Sequence, residues 1–247
     1  MCGRYASFMT VRDVQLAFDI DSVGAELERY APSWNVAPGQ DIGVVLDVLR
    51  PAPAAAFHAS ETVSSGTTSA VHRELHLARW GLIAPWATTL ETARPLINAR
   101  AETLTAKPSF KEAVAKRRCL IPANGYFEWQ EAGKQKLPYY ITDTAPLAFA
   151  GLYNWWRAPD HSWLLTAVII TGPARSPLDA IHDRTPIVLE PDEWAKWLDP
   201  ALTDGGAAAD MLRRPNRPLT AYRVSHIVGN PRNNSPANIA ALTPSHE

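Results

Sequence analysis

Long apolar runs are missing from this sequence. No segment reaches the roughly 20 residues needed to cross a bilayer, and the start lacks the basic-then-apolar pattern of a secretory signal, so a cytoplasmic protein with no membrane contact is expected. Cysteine is scarce as well. Cys2 and Cys119 are the only two, too few for a disulfide framework, and the seven scattered histidines have no further cysteine at zinc-ligand spacing. Neither a metal nor another cofactor is expected. Charge imbalance is lacking too: 24 Lys and Arg stand against 25 Asp and Glu, a formal net charge of -1. That argues against holding a polyanion by bulk charge, yet leaves room for a local basic groove.

What is present is enough apolar material for one sizeable core: 247 residues, 46% hydrophobic, with nine Trp. A single domain over residues 1–247 is predicted. Thr10 with Asp13 three residues later reads as a capping box that opens a helix with Val11, Val14 and Phe18 inward. Ser33 to Gln40 reads as a turn-forming loop before an apolar strand at 42–46. Between Arg50 and Arg73 the composition shifts to Ala, Pro, Ser, Thr and Gly, which predicts a flexible surface insertion. Alternation then predicts strands at 74–80 and 96–103, and Ser109 with Glu112 reads as a second capping box. The second half supplies apolar strands at 138–141, 147–153 and 163–171, a Trp-rich helix at 192–198, a loop at 205–210 and a closing strand at 219–224. A loose tail is expected after about residue 236.

A few residues carry chemistry. Cys2 stands directly behind Met1, so removal of the methionine would expose an α-amine and a thiol on adjacent carbons, with reference pKa values of about 7.7–8.0 and about 8.5. Such a terminus can form an imine with an aldehyde and close a five-membered thiazolidine through sulfur. Asn98, Arg100 and Glu102 fall at period-two spacing and would share one face of an extended chain; that face is either a solvated edge or an anion-facing surface. Glu128 lies in the aromatic-rich segment Tyr126-Phe127-Glu128-Trp129, where burial would raise its pKa into the range of a general acid; pairing with an arginine or reaching solvent are the alternatives. His182 beside Asp183 and Arg184 suits either a structural or a proton-transfer role. The segment holding Asn35 and Pro38 is either a connector or a ligand contact.

Taken together these segments resemble the SOS response-associated peptidase (SRAP) family along nearly the whole chain. The resemblance rests on Met1-Cys2-Gly3-Arg4-Tyr5, Trp34-Asn35-Val36-Ala37-Pro38-Gly39, Arg79-Trp80-Gly81-Leu82, residues 97–103, residues 122–129, Phe149-Ala150-Gly151-Leu152 and His182-Asp183-Arg184-Thr185-Pro186. It implies an α+β fold, a β-barrel-like mixed and antiparallel core flanked by helices, and a DNA-damage function as a self-crosslinking sensor of abasic sites in single-stranded DNA. By similarity Cys2 is the covalent nucleophile, Asn98 holds the terminus, Glu128 is the acid-base carboxylate and His182 assists proton transfer. Arg4, Arg100, Thr171 and Arg184 match groups that contact the DNA backbone, while Pro38, Trp80 and Trp129 match apolar residues against which bases stack or turn. Thr185 departs from the family pattern, in which methionine is common at that position. A monomer is expected.

Two other classes fit parts of the pattern. An N-terminal-nucleophile or cysteine peptidase, including self-removal of Met1, would use Cys2, His182 and an oxyanion donor such as Asn98. A non-covalent single-strand binding module would use only the arginines and aromatic rings. Strand cleavage by β-elimination from the imine is a further outcome of the same chemistry.

Overall fold

The computed structural model describes residues 2–51, 69–90 and 94–242. Eleven strands form one sheet in it. They are β1 (Tyr5–Ser7), β2 (Ser22–Val23), β3 (Ser33–Val36), β4 (Asp41–Pro51), β5 (Ser69–Trp80) and β6 (Asn98–Arg100), then β7 (Arg118–Ala132), β8 (Gln135–Arg157), β9 (Trp163–Pro173), β10 (Arg184–Pro186) and β11 (Thr220–Arg223). The helices are α1 (Val11–Phe18), α2 (Pro108–Lys116), α3 (Pro191–Leu198) and α4 (Gly205–Met211). None of the described helices is long and apolar enough to cross a membrane.

The long strands close on themselves. β7 pairs β8, β8 pairs β9, β9 lies parallel to β5, β5 pairs β4, and β4 returns to β7 at Val45 and Leu120. The result is the expected mixed barrel-like core, with helices outside it. Its strands are apolar on both faces because both faces are covered. Ile121, Phe149 and Ile169 point inward with Tyr5, Trp80 and Tyr126. Their neighbours Leu120, Ala148, Ala150, Val168 and Ile170 point outward beneath Phe18, Val114, Trp194 and Trp197. Arg118, almost fully buried, donates to the carbonyls of Val114, Ala115, Trp197 and Asp199, satisfying the ends of α2 and α3 with one guanidinium.

Several elements differ from the sequence reading. The Arg50–Arg73 region is strand at both ends: β4 and β5 pair in register from Asp41–Arg79 out to Pro51–Ser69, and the remainder, 52–68, lies outside the described residues. Helix α2 starts two residues earlier than the Ser109 box requires, with Pro108 in its first turn and Lys107 at the N-cap. The 205–210 segment is helix α4, begun by Asp204, whose carboxylate accepts from the Gly206 and Ala207 N–H groups. Residues 33–36 form strand β3 rather than a loop, 135–157 form one strand rather than two, and the strand expected over 96–103 shrinks to β6 followed by a 3-10 turn. The tail is held through Leu242: Asn238 is fully buried, the Tyr222 hydroxyl donates to the Ile239 carbonyl at 3.0 Å, and Leu242 N–H donates to Arg223 at 2.9 Å.

Two glycines let strands crowd together. At Gly125, in the β7 bulge, an added Cβ would lie 2.6 Å from the Ile141 carbonyl oxygen. At Gly151 it would lie 2.8 Å from Cys119 Sγ and 2.9 Å from Ile121 Cδ1. Gly151→Ala is therefore expected to lower stability by about 1–3 kcal/mol. Adding Cys119→Ala should restore part of the loss, read as a coupling in urea-unfolding midpoints. Strictly additive effects would count against the contact.

Candidate active site

Strand β1 is pinned on both sides. Tyr5 pairs with Val36 of β3 and with Tyr126 of β7, and the Phe127 N–H donates to the Arg4 carbonyl at 2.9 Å. Cys2, just before the strand, is fully buried among the inward-facing barrel residues. Asn98 opens β6 opposite Ile169 of β9, and its Nδ2 donates to the Cys2 carbonyl at 2.7 Å. Asn98 Oδ1 is buried with no hydrogen-bond partner among the described residues, which leaves one acceptor of the same amide unspent beside the Cys2 main chain.

Register then brings Glu128 to the same end of the barrel, one residue beyond Phe127. The side chain is almost fully buried. Burial pushes its carboxyl up to about 7, against the lowering effect of the positive amino terminus, and the charge of Asp183 adds to the rise. The Cys2 thiol is raised as well, first by burial and then by the Glu128 charge, so it rests here as the neutral thiol. His182 reaches the site from the β9–β10 connection. Its Nδ1 lies 2.8 Å from Asp183 Oδ1 and 3.0 Å from the Arg184 N–H. A proton on Nδ1 would face Asp183, whereas a bare Nδ1 accepts from Arg184, so the ring can exchange tautomers without moving. Burial, followed by the positive amino terminus, lowers its pKa, while Asp183 raises it.

The four residues matched to catalysis thus lie around one chain end. The residues matched to DNA divide into three groups. Arg4 and Arg184 flank the site but are fixed by protein partners. Arg4 Nη1 donates to Asn35 Oδ1 at 3.0 Å and to the Val228 carbonyl at 2.9 Å. Arg184 makes a two-pronged pair with Glu102, at 2.6 and 3.0 Å, and donates to the Thr171 carbonyl. Pro38 and Arg100 are exposed and Trp129 is half-buried. Trp80 and Thr171 are fully buried and present no surface to a strand. Trp80 instead donates Nε1 to the Ile97 carbonyl at 3.0 Å and meets Tyr5 edge-on at 5.2 Å.

Asn35 is the residue whose role the sequence did not disclose. It is buried, and its amide donates to the carbonyls of Val228, Asn230 and Asn233 while accepting from Arg4. It is therefore an internal latch and not a ligand contact. Its position in an alternating strand, between Trp34 and Val36, was the available signal. Thr185 fills the family's methionine position by bonding its hydroxyl to Tyr126 at 2.8 Å. Among the described residues no three His, Cys, Asp or Glu side chains gather to hold a metal ion.

Residues 1–231 match the family described as SOS response associated peptidase (SRAP). The chain belongs to that family. An abasic site processing protein of Bacillus subtilis, YoqW, is 37% identical over 240 residues, covering 96% of this chain and 97% of the relative. The abasic site processing protein HMCES of Xenopus tropicalis is 29% identical, covering 98% of this chain and 78% of the relative. Among solved structures, a protein from Bacteroides thetaiotaomicron superposes with a TM-score of 0.78 at 26% identity, covering 98% of this chain and all of that one (100%).

The raised carboxyl has a consequence for stability. A group moved from 4.5 to about 7 takes up a proton on folding between those values, so its contribution to stability falls as pH rises through that window and is level above it. Glu128→Gln should lack this fall. Its stability relative to wild type is expected to rise by on the order of 1–3 kcal/mol between pH 5 and pH 8, measured by urea unfolding at both pH values. Parallel pH profiles for the two proteins would show that Glu128 titrates normally.

Proposed function

We propose that this protein captures abasic sites in single-stranded DNA through Cys2, which becomes the terminal residue when Met1 is removed. The observation that carries the reading is the hydrogen bond from Asn98 to the Cys2 carbonyl, which holds the chain end beside a buried carboxyl poised near neutrality. The names of the relatives, abasic site processing proteins, support it.

The chemistry follows from the proton states. The open-chain deoxyribose of an abasic site offers an aldehyde carbon. The Cys2 α-amine adds to it, and protonated Glu128 delivers a proton to the hydroxyl that leaves as water, giving a protonated imine, an iminium, and the Glu128 carboxylate. The Cys2 thiol then adds to the iminium carbon; a C–S bond forms, the C=N π electrons move to nitrogen, and the thiol proton passes to the Glu128 carboxylate, restoring the acid. The sum is aldehyde plus aminothiol giving thiazolidine plus one water. A thiol held neutral by its surroundings favours this order, amine before sulfur, over direct thiolate attack on an amide. His182, held toward its neutral form by burial, can accept and return the proton of the ring-opening step. Arg4, Arg100 and Arg184 would meet phosphates, and Pro38 and Trp129 would meet bases. Backbone and stacking contacts of this kind carry little sequence information.

The same imine acidifies the neighbouring C2′ hydrogen, so strand cleavage by β-elimination would accompany capture when ring closure is slow. Self-removal of Met1 is the peptidase counterpart of the reading.

Intact-protein mass spectrometry on single-stranded DNA with one abasic site tests the assignment. Wild type without Met1 should gain the oligonucleotide mass less one water, and Cys2→Ala should gain nothing. Glu128→Gln should form the adduct about 10²–10⁴-fold more slowly. A Met1-free protein that forms no adduct would sink the covalent reading.

A further inference from the structure

A cleft of about 730 Å³ lies outside the Cys2 cluster, between the β9–β10 connection, helix α4 and residues 212–219. Its size falls in the roughly 300–1,000 Å³ range of ligand clefts. The floor is apolar, built by Leu178, Ile187, Leu212 and Leu219, and four arginines stand against two carboxylates on its walls: Arg175, Arg213, Arg214 and Arg217 against Glu102 and Asp210. The ion pairs decide which of these charges are available. Arg217 is held by Asp143 and Glu190, Arg214 by Glu193, and Glu102 is spent on Arg184. Arg213 shares only an exposed pair with Asp210 at 3.0 Å, a contact of little worth in water. Arg175 is exposed, and no acidic side chain among the described residues engages its guanidinium.

The cleft adjoins the proposed reaction site through β10. The Arg184 N–H bonds the His182 ring, while the Arg184 guanidinium bonds Glu102, which lines the cleft. The cleft edge at Glu102 is thus linked to the His182 ring through Arg184. We propose that the cleft is a flanking-nucleotide subsite: it takes one base of the single strand beside the lesion on its apolar floor and the adjoining phosphates on Arg175 and Arg213. A nucleotide couples a flat, largely apolar ring to one negative charge per unit, and the cleft couples an apolar floor to cations at the rim. An acidic peptide would supply the charge without the ring. The inference rests on the reading of the chain as a single-strand DNA protein.

Undamaged fluorescent oligothymidylate of about 12 nucleotides, titrated with the full chain across a salt series, tests the cleft without relying on the crosslink. Arg175→Glu should weaken binding about 10-fold and reduce the salt slope by about 1. Ala209→Phe, which fills the cleft from α4, should also weaken it, with thermal unfolding confirming the fold. Arg157→Glu is the control: it reverses an exposed charge at the Trp163 end of β9, away from the Thr171 end where Arg100 and Pro186 pair, and should bind as wild type. Wild-type affinity in Arg175→Glu, an equal loss in Arg157→Glu, or displacement of the DNA by oligoglutamate at equal charge would each overturn the assignment. Adduct yield on abasic DNA is scored separately. Adducts missing from wild type would remove the Cys2 reading and leave the anisotropy to judge the cleft.

Discussion

The chemistry proposed for the chain end depends on how firmly residues 2–7 are held. Chain termini are ordinarily the loosest part of a domain, and a terminus that frays cannot keep an amine and a thiol aligned on one carbonyl carbon. Here Tyr5 is shared between β3 and β7, the Arg4 carbonyl is bonded by Phe127, and the Cys2 carbonyl is bonded by Asn98. Arg4 is in turn fixed by Asn35 and by Val228 in the returning C-terminal segment. Both ends of the chain therefore brace the same few residues.

Burial of that end sets its electrostatics. Among the described carboxylates whose values shift, Glu26, Glu74, Glu102, Glu112, Asp13, Asp143 and Asp160 all go down, because hydrogen bonds or cations outweigh desolvation. Glu128 alone goes up. Asp47 pairs with Arg73 at 2.8 Å, whereas burial is the largest influence on the Glu128 carboxyl and raises it. Its surroundings instead favour the protonated form near neutrality, which is the state a general acid requires. The cost appears in the neighbouring thiol, which is raised by the same burial and by Glu128 itself.

Much of this was legible in the residues. The capping box at Thr10 and Asp13 forms as read, with the Asp13 N–H bonded to the Thr10 hydroxyl at 3.2 Å. The continuous apolar runs of the second half are doubly covered barrel strands, and the aromatic setting of Glu128 did signal a raised carboxyl. The errors have common causes. Gly205-Gly206 looked like a loop, because glycine disfavours helix interiors; α4 forms because Asp204 caps it and Gly205 lets it approach Val114, where an added Cβ would lie 3.2 Å from Cγ1. The tail after about residue 236 looked unattached, because its anchors, the Tyr222 hydroxyl on the Ile239 carbonyl and the Arg223 carbonyl under the Leu242 N–H, are polar contacts with a separate strand. Local composition carries no record of a hydrogen bond between residues about 200 positions apart, such as Trp34 N–H to Asn234 at 2.7 Å.

Trp80 illustrates how a matched position can matter without touching the ligand. Similarity placed it among residues that meet bases, yet its ring is wholly inside the barrel. One edge packs on Tyr5, which anchors the strand behind Cys2, and its Nε1 holds the carbonyl of Ile97, the residue before Asn98. Trp80 is thus a rigid strut between the strand that presents Cys2 and the side chain that grips the Cys2 carbonyl. Its two contacts fix the distance between those elements, and a smaller residue there would let them drift independently. A sequence match to a functional residue therefore does not by itself assign that residue to the surface.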